Sequence, residues 1–453
     1  MHDPRTRTGT ATRRFLLLQG LMGPFFRRVG KALRQSGYEV YKINFNGGDQ
    51  LFWRLPNGID YTGDGAHWPA FLADVIERHG ITDVMLFGDC RPMHRAAIAL
   101  CSHRHIPVHV FEEGYIRPDW VTLEIGGVNG HSTLPRDPAW YRAEAARLPP
   151  APEHRPVPSS FRRRALEAVA YNAADILSRW YFRKWKDYRP WHPWAEGMGW
   201  LKRLRNRKTA ESMTQAAMDA IADSGRPYMI FPLQLDADAQ VRLHSSFAGM
   251  EPAIRYVIGS FASHAPAETV LLIKEHPLDN GLRDWRSLIG DIAREHGVAD
   301  RVYYIETGDI ALLVQRAQGV VTINSTTGTL ALASGIPVLT LGEAVYDIPE
   351  ITDQVDLDTF WSKPTPPDKA TYDAFRRVLI DRCLIAGGFF SEEGQNQLVA
   401  GVLKRLSKTV LPERIIPVRK KAADTGRALS SVRVPTKQAS YIVQSSVVTH
   451  DKV

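Results

Sequence analysis

Residues 319–341 read GVVTINSTTGTLALASGIPVLTL. A β-branched run from Val320 to Ile323 stops at Asn324, and a hydroxyl cluster follows, Ser325-Thr326-Thr327-Gly328. Leu330 to Ala333 then carry a small-residue helical pattern, and Gly335-Ile336-Pro337 lead into another apolar run. Strand, polar turn, helix, strand is one βαβ unit, and a chain containing it builds parallel sheet with helices on the faces. It also sets hydroxyls where a helix begins. Helix N-termini carry unpaired N–H groups and partial positive charge, so such a turn suits a phosphate. The same hydroxyls serve equally as helix caps.

The alternation recurs along the chain. Phe15–Leu18, Tyr38–Phe45, Asp83–Phe87 and Ile106–Phe111 read as strands, with helices over Arg27–Gln35 and Trp68–His79 and from Met93. A second series opens near Pro227: strands Tyr228–Phe231, Thr269–Ile273 and Val302–Ile305, and helices over 248–264, 282–295 and 369–383. Between the two lie a proline-rich linker (149–158) and a basic, aromatic stretch. Residues 1–12 and the Ser/Thr/Val/Lys-rich tail from Thr409 lack periodicity and read as disordered.

At 453 residues the chain has room for two or three domains. No apolar run approaches a membrane span, and Phe15–Leu18 is too short for a signal-peptide core. Three cysteines without zinc-type spacing (Cys90, Cys101, Cys383) fit a reduced, cytoplasmic setting. The net charge of +8 is uneven: residues 161–208 hold thirteen Lys/Arg against four Asp/Glu, and the tail eight against three. Everything else is therefore net acidic, so the basicity belongs to two segments.

Two further motifs sit at strand ends, the edge where open α/β sheets bind ligands. Lys274-Glu275-His276-Pro277 follows the strand Thr269–Ile273, two strands before the hydroxyl turn; an imidazolium there can neutralise or protonate a departing phosphate. Phe111-Glu112-Glu113-Gly114-Tyr115 ends a strand of the first series. Adjacent carboxylates on a strand point opposite ways, so one of the two faces a cleft, and a neighbouring carboxylate can raise its pKa toward that of a useful base.

The ordered trio resembles bacterial transferases that use CMP-activated keto sugars, CMP-sialic acid or CMP-Kdo. Gln19-Gly20 with Gly23-Pro24-Phe25-Phe26, Asn46-Gly47-Gly48-Asp49, Gly88-Asp89-Cys90-Arg91-Pro92, Glu112 to Pro118, and Pro232-Leu233-Gln234 with Asp236, Asp238 and Gln240 sharpen this. Over roughly Phe15 to Leu406 the chain resembles the capsule polysaccharide biosynthesis/export family of the KpsS/LipB type. The resemblance implies an α/β, GT-B-like fold: two Rossmann-like β/α domains facing a cleft, with a basic-aromatic helical insertion between them and a disordered C-terminal tail. The expected divisions are 13–148 (acceptor side), 149–208 (linker and insertion), 209–408 (CMP-sugar side) and 409–453 (tail).

The resemblance further implies a retaining β-Kdo transferase. CMP-Kdo is the donor and a (lyso)phosphatidylglycerol the acceptor, which starts the lipid-anchored linker of a capsular polysaccharide. No cofactor is implied; other capsule synthesis or export proteins are candidate partners. Glu113, ahead of Glu112, is carried over as the acid/base; His276, Ser325 and Thr326 hold the CMP phosphate. Retention by two displacements calls for a carboxylate nucleophile, Asp238 first and Asp236 next; Gln234 and Asp236 are expected to bind substrate, with Ser325 and Thr326. Asp236-Ala237-Asp238 looks like an Asp-x-Asp metal motif, but a single phosphate can be neutralised by His276, the hydroxyls and a helix N-terminus, so no metal is expected. Arg117 and Lys274 are further candidates, since Kdo carries its own carboxylate. The alternatives are a CMP-sialic acid-dependent transferase and a non-catalytic export-complex component.

Residues 179–208 hold five of the eleven tryptophans, interleaved with Arg and Lys. That composition suits a membrane interface, which a lipid-linked acceptor would require of a peripheral enzyme at the inner membrane. Packing of the indoles on the core or on a partner comes second, and nucleic-acid binding last.

Overall fold

The apolar strand segments form two sheets. The computed structural model describes residues 13–152, 156–186, 191 and 193–408. The expected leader and tail lie outside the described residues.

The strands are β1 (Arg14–Leu17), β2 (Glu39–Asn44), β3 (Gly58–Asp60), β4 (Asp83–Phe87), β5 (Val108–Glu113), β6 (Trp120–Ile125), β7 (Tyr228–Pro232), β8 (Val270–Lys274), β9 (Val302–Ile305), β10 (Gly319–Thr322), β11 (Val338–Thr340) and β12 (Leu384–Ala386). The first sheet has seven strands in the order β12-β6-β5-β4-β1-β2-β3, and the second has five, β11-β10-β7-β8-β9. The second sheet is parallel throughout, whereas β6 runs antiparallel to both β5 and β12. This is the expected α/β, GT-B-like pair of Rossmann-like halves.

Burial follows from the topology. Strands of a covered parallel sheet are apolar on both faces. Met229, Phe231, Leu271, Ile273 and Val321 pack toward Trp285, Ile254 and Phe261. Ile230, Leu272 and Val320 point the other way, into a cluster that continues through the helix Lys369–Arg382 (Tyr372, Phe375, Leu379) to Leu16, Val84 and Val110 of the first sheet. The two halves thus share core.

The end of the described chain crosses back to the first sheet. β12 adds to the first sheet beside β6, and the helix Glu392–Lys408 buries Leu398 and Val402 with Phe25 and Val29 of the helix Phe25–Gln35. The expected 209–408 unit therefore returns its last segment to the first half. Three-residue strands such as β3 and β12 carry too little periodicity to be read from sequence. β6 is hidden from the sequence because its apolar run follows directly on the Glu112–Pro118 loop, with no separate break to mark its start.

The insertion is helical, as expected, over Phe161–Leu177 and Pro193–Arg205, and a further helix, Arg207–Ser224, runs on past its expected end at 208. Its first helix lies against the helix Gly47–Trp53, and two glycines permit the approach. A Cβ on Gly47 would stand 2.4 Å from the Ala174 carbonyl oxygen, and one on Gly48 would stand 2.6 Å from the Tyr171 ring. The buried Tyr171 hydroxyl accepts from Gln19 Nε2 and Asn46 Nδ2, both at 2.9 Å, and donates to Asp49 Oδ1 at 3.2 Å. Gln19, Asn46, Gly47, Gly48 and Asp49, all part of the family resemblance, build this dock.

Candidate active site

Register places the site. Pro232 pairs with Lys274, and Lys274 with Ile305. Val320 pairs with Ile230, which brings Thr322 level with Pro232. Gln234, His276 and Asn324 therefore leave the second sheet at one edge, each two residues past its strand. Gln234 and Asn324 clasp each other: Nε2 donates to Asn324 Oδ1 at 2.8 Å, and Oε1 accepts the Asn324 N–H at 3.2 Å. Gln234 is thus a buried brace between two loops.

Asp238 caps the short helix Ala239–Leu243, its Oδ1 accepting the Gln240 N–H at 2.9 Å. Burial pushes its carboxyl up; hydrogen bonds from the Gln240 N–H and the Gln234 side chain, with Arg117, pull it back. Glu113 lies near enough to act on it electrostatically. Asp236 faces elsewhere. Its Oδ1 accepts the Met250 N–H at 3.0 Å, and its Oδ2 meets Arg283 Nε at 3.1 Å, so it anchors the start of the helix Met250–His264. The structure brings Asp238, and not Asp236, to the carboxylates of the first half.

Glu112 and Glu113 end β5 with opposite duties. Glu113 Oε2 pairs with Arg117 at 2.8 Å and Oε1 with Arg164 at 3.5 Å. Arg164 comes from the insertion helix Phe161–Leu177 and lies over the Phe390 ring at 4.7 Å. Sequence reasoning missed it, because one arginine in a basic stretch carries no signal of its own. Glu112 turns toward Gly88, with Oε1 accepting the Glu113 N–H at 3.0 Å. Burial pushes its carboxyl up to about 8, reinforced by the charges of Glu113, Asp238 and Asp89. Of the adjacent pair, Glu112 is the carboxyl tuned toward neutral pH.

His276 accepts the Leu278 N–H on Nδ1 at 3.0 Å, so its proton belongs on Nε2. Burial, then the charges of Arg117, Lys274 and Arg164, hold it down to about 4. It is a neutral N–H donor within a cationic collar, where the sequence reading had an imidazolium. Lys274 is spent on the carbonyls of Glu275 (2.8 Å) and Glu306 (3.1 Å), and its burial brings it to about 8. Glu275 pairs with Arg203 of the helix Pro193–Arg205, so the insertion also reaches the His276 loop.

In the hydroxyl turn, Ser325 Oγ accepts the Thr327 N–H at 3.2 Å and shares a 3.2 Å contact with Thr327 Oγ1. Thr326 stands at the N-cap of the seven-residue helix Thr327–Ala333 and makes no side-chain capping bond. Capping thus falls to Ser325, while the half-buried Thr326 makes no capping bond. Thr329 Oγ1 donates to the Tyr115 carbonyl at 2.7 Å, tying this helix to the loop after β5.

Residues 82–390 match the family described as capsule polysaccharide biosynthesis protein. The capsule polysaccharide export protein KpsS of Escherichia coli is 35% identical over 372 residues, 81% of this chain and 94% of that protein. The chain belongs to this capsule polysaccharide biosynthesis family. The capsule polysaccharide modification protein LipB of Neisseria meningitidis serogroup A is 36% identical over 394 residues, covering 83% of this chain and 91% of LipB. Among solved structures, the KpsC of Thermosulfurimonas dismutans described as a beta Kdo 2,7 transferase covers 87% of the chain at 11% identity, with a TM-score of 0.40. That likeness is too distant to bear on function. Within the capsule family frame, the site gathers cations from both halves and the insertion (Arg117, Lys274, Arg164) around His276, beside carboxylates that also come from both halves (Glu112, Glu113, Asp238).

Proposed function

We propose that the protein is a retaining β-Kdo transferase, moving Kdo from CMP-Kdo to a (lyso)phosphatidylglycerol. The observation carrying this reading is that Asp238 lies within electrostatic reach of the Glu112–Glu113 pair, beside the His276 collar. A CMP-activated keto sugar has a phosphate and a carboxylate flanking its anomeric carbon. Arg117 and Arg164 suit the carboxylate, and the His276 Nε2–H with Ser325 and Thr326 suits the phosphate, with no cation assigned to it. Asp238 attacks the anomeric carbon, and CMP leaves with the bonding electron pair. The acceptor hydroxyl then displaces Asp238 and passes its proton to a carboxylate. The geometry favours Glu112 for that proton, since Glu113 is held by two guanidiniums; a pKa near the working pH is what a general base needs.

The insertion supports a lipid acceptor. Trp180 is 71% exposed, Trp194 72% and Leu177 76%, with Leu166, Val169 and Leu201 also outward. Arg162, Arg205 and Lys202 belong to the same helices. Trp185 instead packs against the core near Phe45, at 5.7 Å between ring centres, so the membrane and packing readings each claim part of the segment. No helix among the described residues is long and apolar enough to cross a membrane. We infer peripheral docking at the cytoplasmic face of the inner membrane.

The test is a mass-spectrometric transfer assay with CMP-Kdo generated in situ and a fluorescent phosphatidylglycerol analogue. One Kdo increment, lost in Asp238→Asn and accompanied in slow variants by Kdo attached to Asp238, is expected. Product from CMP-sialic acid alone would replace the donor; no product from either donor with folded protein would leave a non-catalytic capsule component.

A further inference from the structure

At the far end of the short helix that Asp238 caps lies a cluster that the transfer reaction does not use. Asp89 and Cys90 follow β4, His131 ends the short turn Asn129–His131, and His244 follows the helix Ala239–Leu243. Each offers one ligand atom, and the four atoms lie within 4.8 Å of one another. Asp89 Oδ2 stands 2.9 Å from His131 Nδ1; Cys90 Sγ stands 3.2 Å from Asp89 Oδ1 and 3.4 Å from His244 Nε2. A tetrahedral zinc with bonds of about 2.0–2.3 Å has ligand edges of about 3.3–3.8 Å, so small side-chain shifts would close the set.

Hydrogen bonding alone leaves this cluster unbalanced. His244 is 2% exposed, and its Nδ1 makes no hydrogen bond, the Glu343 Oε2 lying 3.7 Å away. If the Cys90 thiol donates to Asp89, His244 keeps its proton on Nε2 to reach the sulfur, and Nδ1 is a buried acceptor without a donor. If the thiol donates to His244 Nε2, the proton moves to Nδ1, a buried donor whose acceptor is out of reach. Either arrangement strands a polar atom, which is costly in a buried site. A divalent metal resolves it. The thiol proton leaves to solvent, thiolate and Nε2 become ligands, and the ring proton is fixed on Nδ1, facing Glu343 Oε2 at 3.7 Å; a short swing of that half-exposed carboxylate then completes the carboxylate–histidine–metal arrangement that orients ligating histidines. Asp89 Oδ2 also accepts the Val128 N–H at 3.0 Å, which leaves Oδ1 for the ion. One aspartate, one thiolate and two neutral imidazoles balance a 2+ charge, and the mix of sulfur and nitrogen donors selects zinc over magnesium or calcium.

We propose that Asp89, Cys90, His131 and His244 bind one zinc ion. Three ligands come from the first half and His244 from the second, directly after the helix that Asp238 caps. The ion therefore pins the two halves together and fixes the Asp238 loop. A zinc ion here departs from the sequence expectation of no metal; cysteine spacing hides the site because its ligands come from three separate segments. The inference does not depend on the identity of the sugar donor.

The test is cobalt substitution in the full chain, which reads binding and not transfer. Protein stripped with a chelator is titrated with cobalt(II) and followed by absorption. One equivalent, with a thiolate-to-cobalt charge-transfer band and the intense visible bands of four-coordinate cobalt, both erased by zinc, is expected. Cys101→Ser should leave the spectrum unchanged. Cys90→Ser should abolish the thiolate band and weaken binding by about 100-fold or more. The half-exposed His131 can be changed to Gln without disturbing the core and should alter the visible bands. Substoichiometric binding by folded wild-type protein, or one equivalent without a thiolate band, overturns the proposal.

Discussion

Replacing Glu112 with glutamine should stabilise this protein in mild alkali while removing its activity. The carboxyl titrates near 4.5 in an unfolded chain and at about 8 in the fold. The native state therefore holds a proton that the unfolded state has lost, so stability falls as pH rises through that window and levels off above about 8. At about 1.4 kcal/mol per pH unit the full penalty reaches about 5 kcal/mol. Glu112 is only partly buried, and solvent screening brings the expected effect to about 2 kcal/mol. Glutamine cannot ionise, yet its Oε1 can keep the Glu113 N–H that Glu112 Oε1 accepts at 3.0 Å. Denaturant unfolding of both proteins at about pH 4.5 and about pH 9 measures the difference, and every other titrating group cancels in the subtraction. The variant should match wild type in acid and exceed it by about 2 kcal/mol in base. A constant offset at both pH values, or a less stable variant in base, would show that Glu112 is not held protonated by its surroundings. Transfer by wild type should rise about fivefold from pH 7 to pH 8, and Glu113→Gln should retain that rise.

Three further outcomes follow from the geometry. His276 is neutral above about pH 5 and acts as an Nε2–H donor, so the ratio of CMP affinities of wild type and His276→Ala should stay near tenfold or above from pH 6 to pH 8; a ratio climbing steeply in acid would mean an imidazolium, and calorimetry decides. Gly47→Ala drives a Cβ to 2.4 Å from the Ala174 carbonyl, and should cost about 1–3 kcal/mol in denaturant unfolding and expose the helix Phe161–Leu177 to limited proteolysis; unchanged stability would refute the dock. Trp180→Ala combined with Trp194→Ala should weaken sedimentation with anionic vesicles by about tenfold or more, and equal binding by the double variant would move the exposed face to a protein partner.

The α/β class, most helices and the edge at which the chemistry gathers were legible in the chain. Their signals are local: apolar runs of strand length such as Val320–Ile323, the glycine and proline breaks around them, and polar residues such as His276 directly after a strand. A parallel sheet brings every such strand end to one edge, so reading the strands already reads the edge. Tertiary structure decided what local signals cannot carry. Asp236 and Asp238 are chemically alike and two residues apart; only the position of Arg283 and the Met250 N–H makes one an anchor and leaves the other beside Glu112 and Glu113. Glu112 and Glu113 differ because Arg164, fifty residues on, pairs with one of them. The return of β12 to the first sheet, and the meeting of Asp89, Cys90, His131 and His244, join segments far apart in the chain. Such pairings depend on the closing of long loops around a shared core, and no periodicity in the sequence encodes where those loops end.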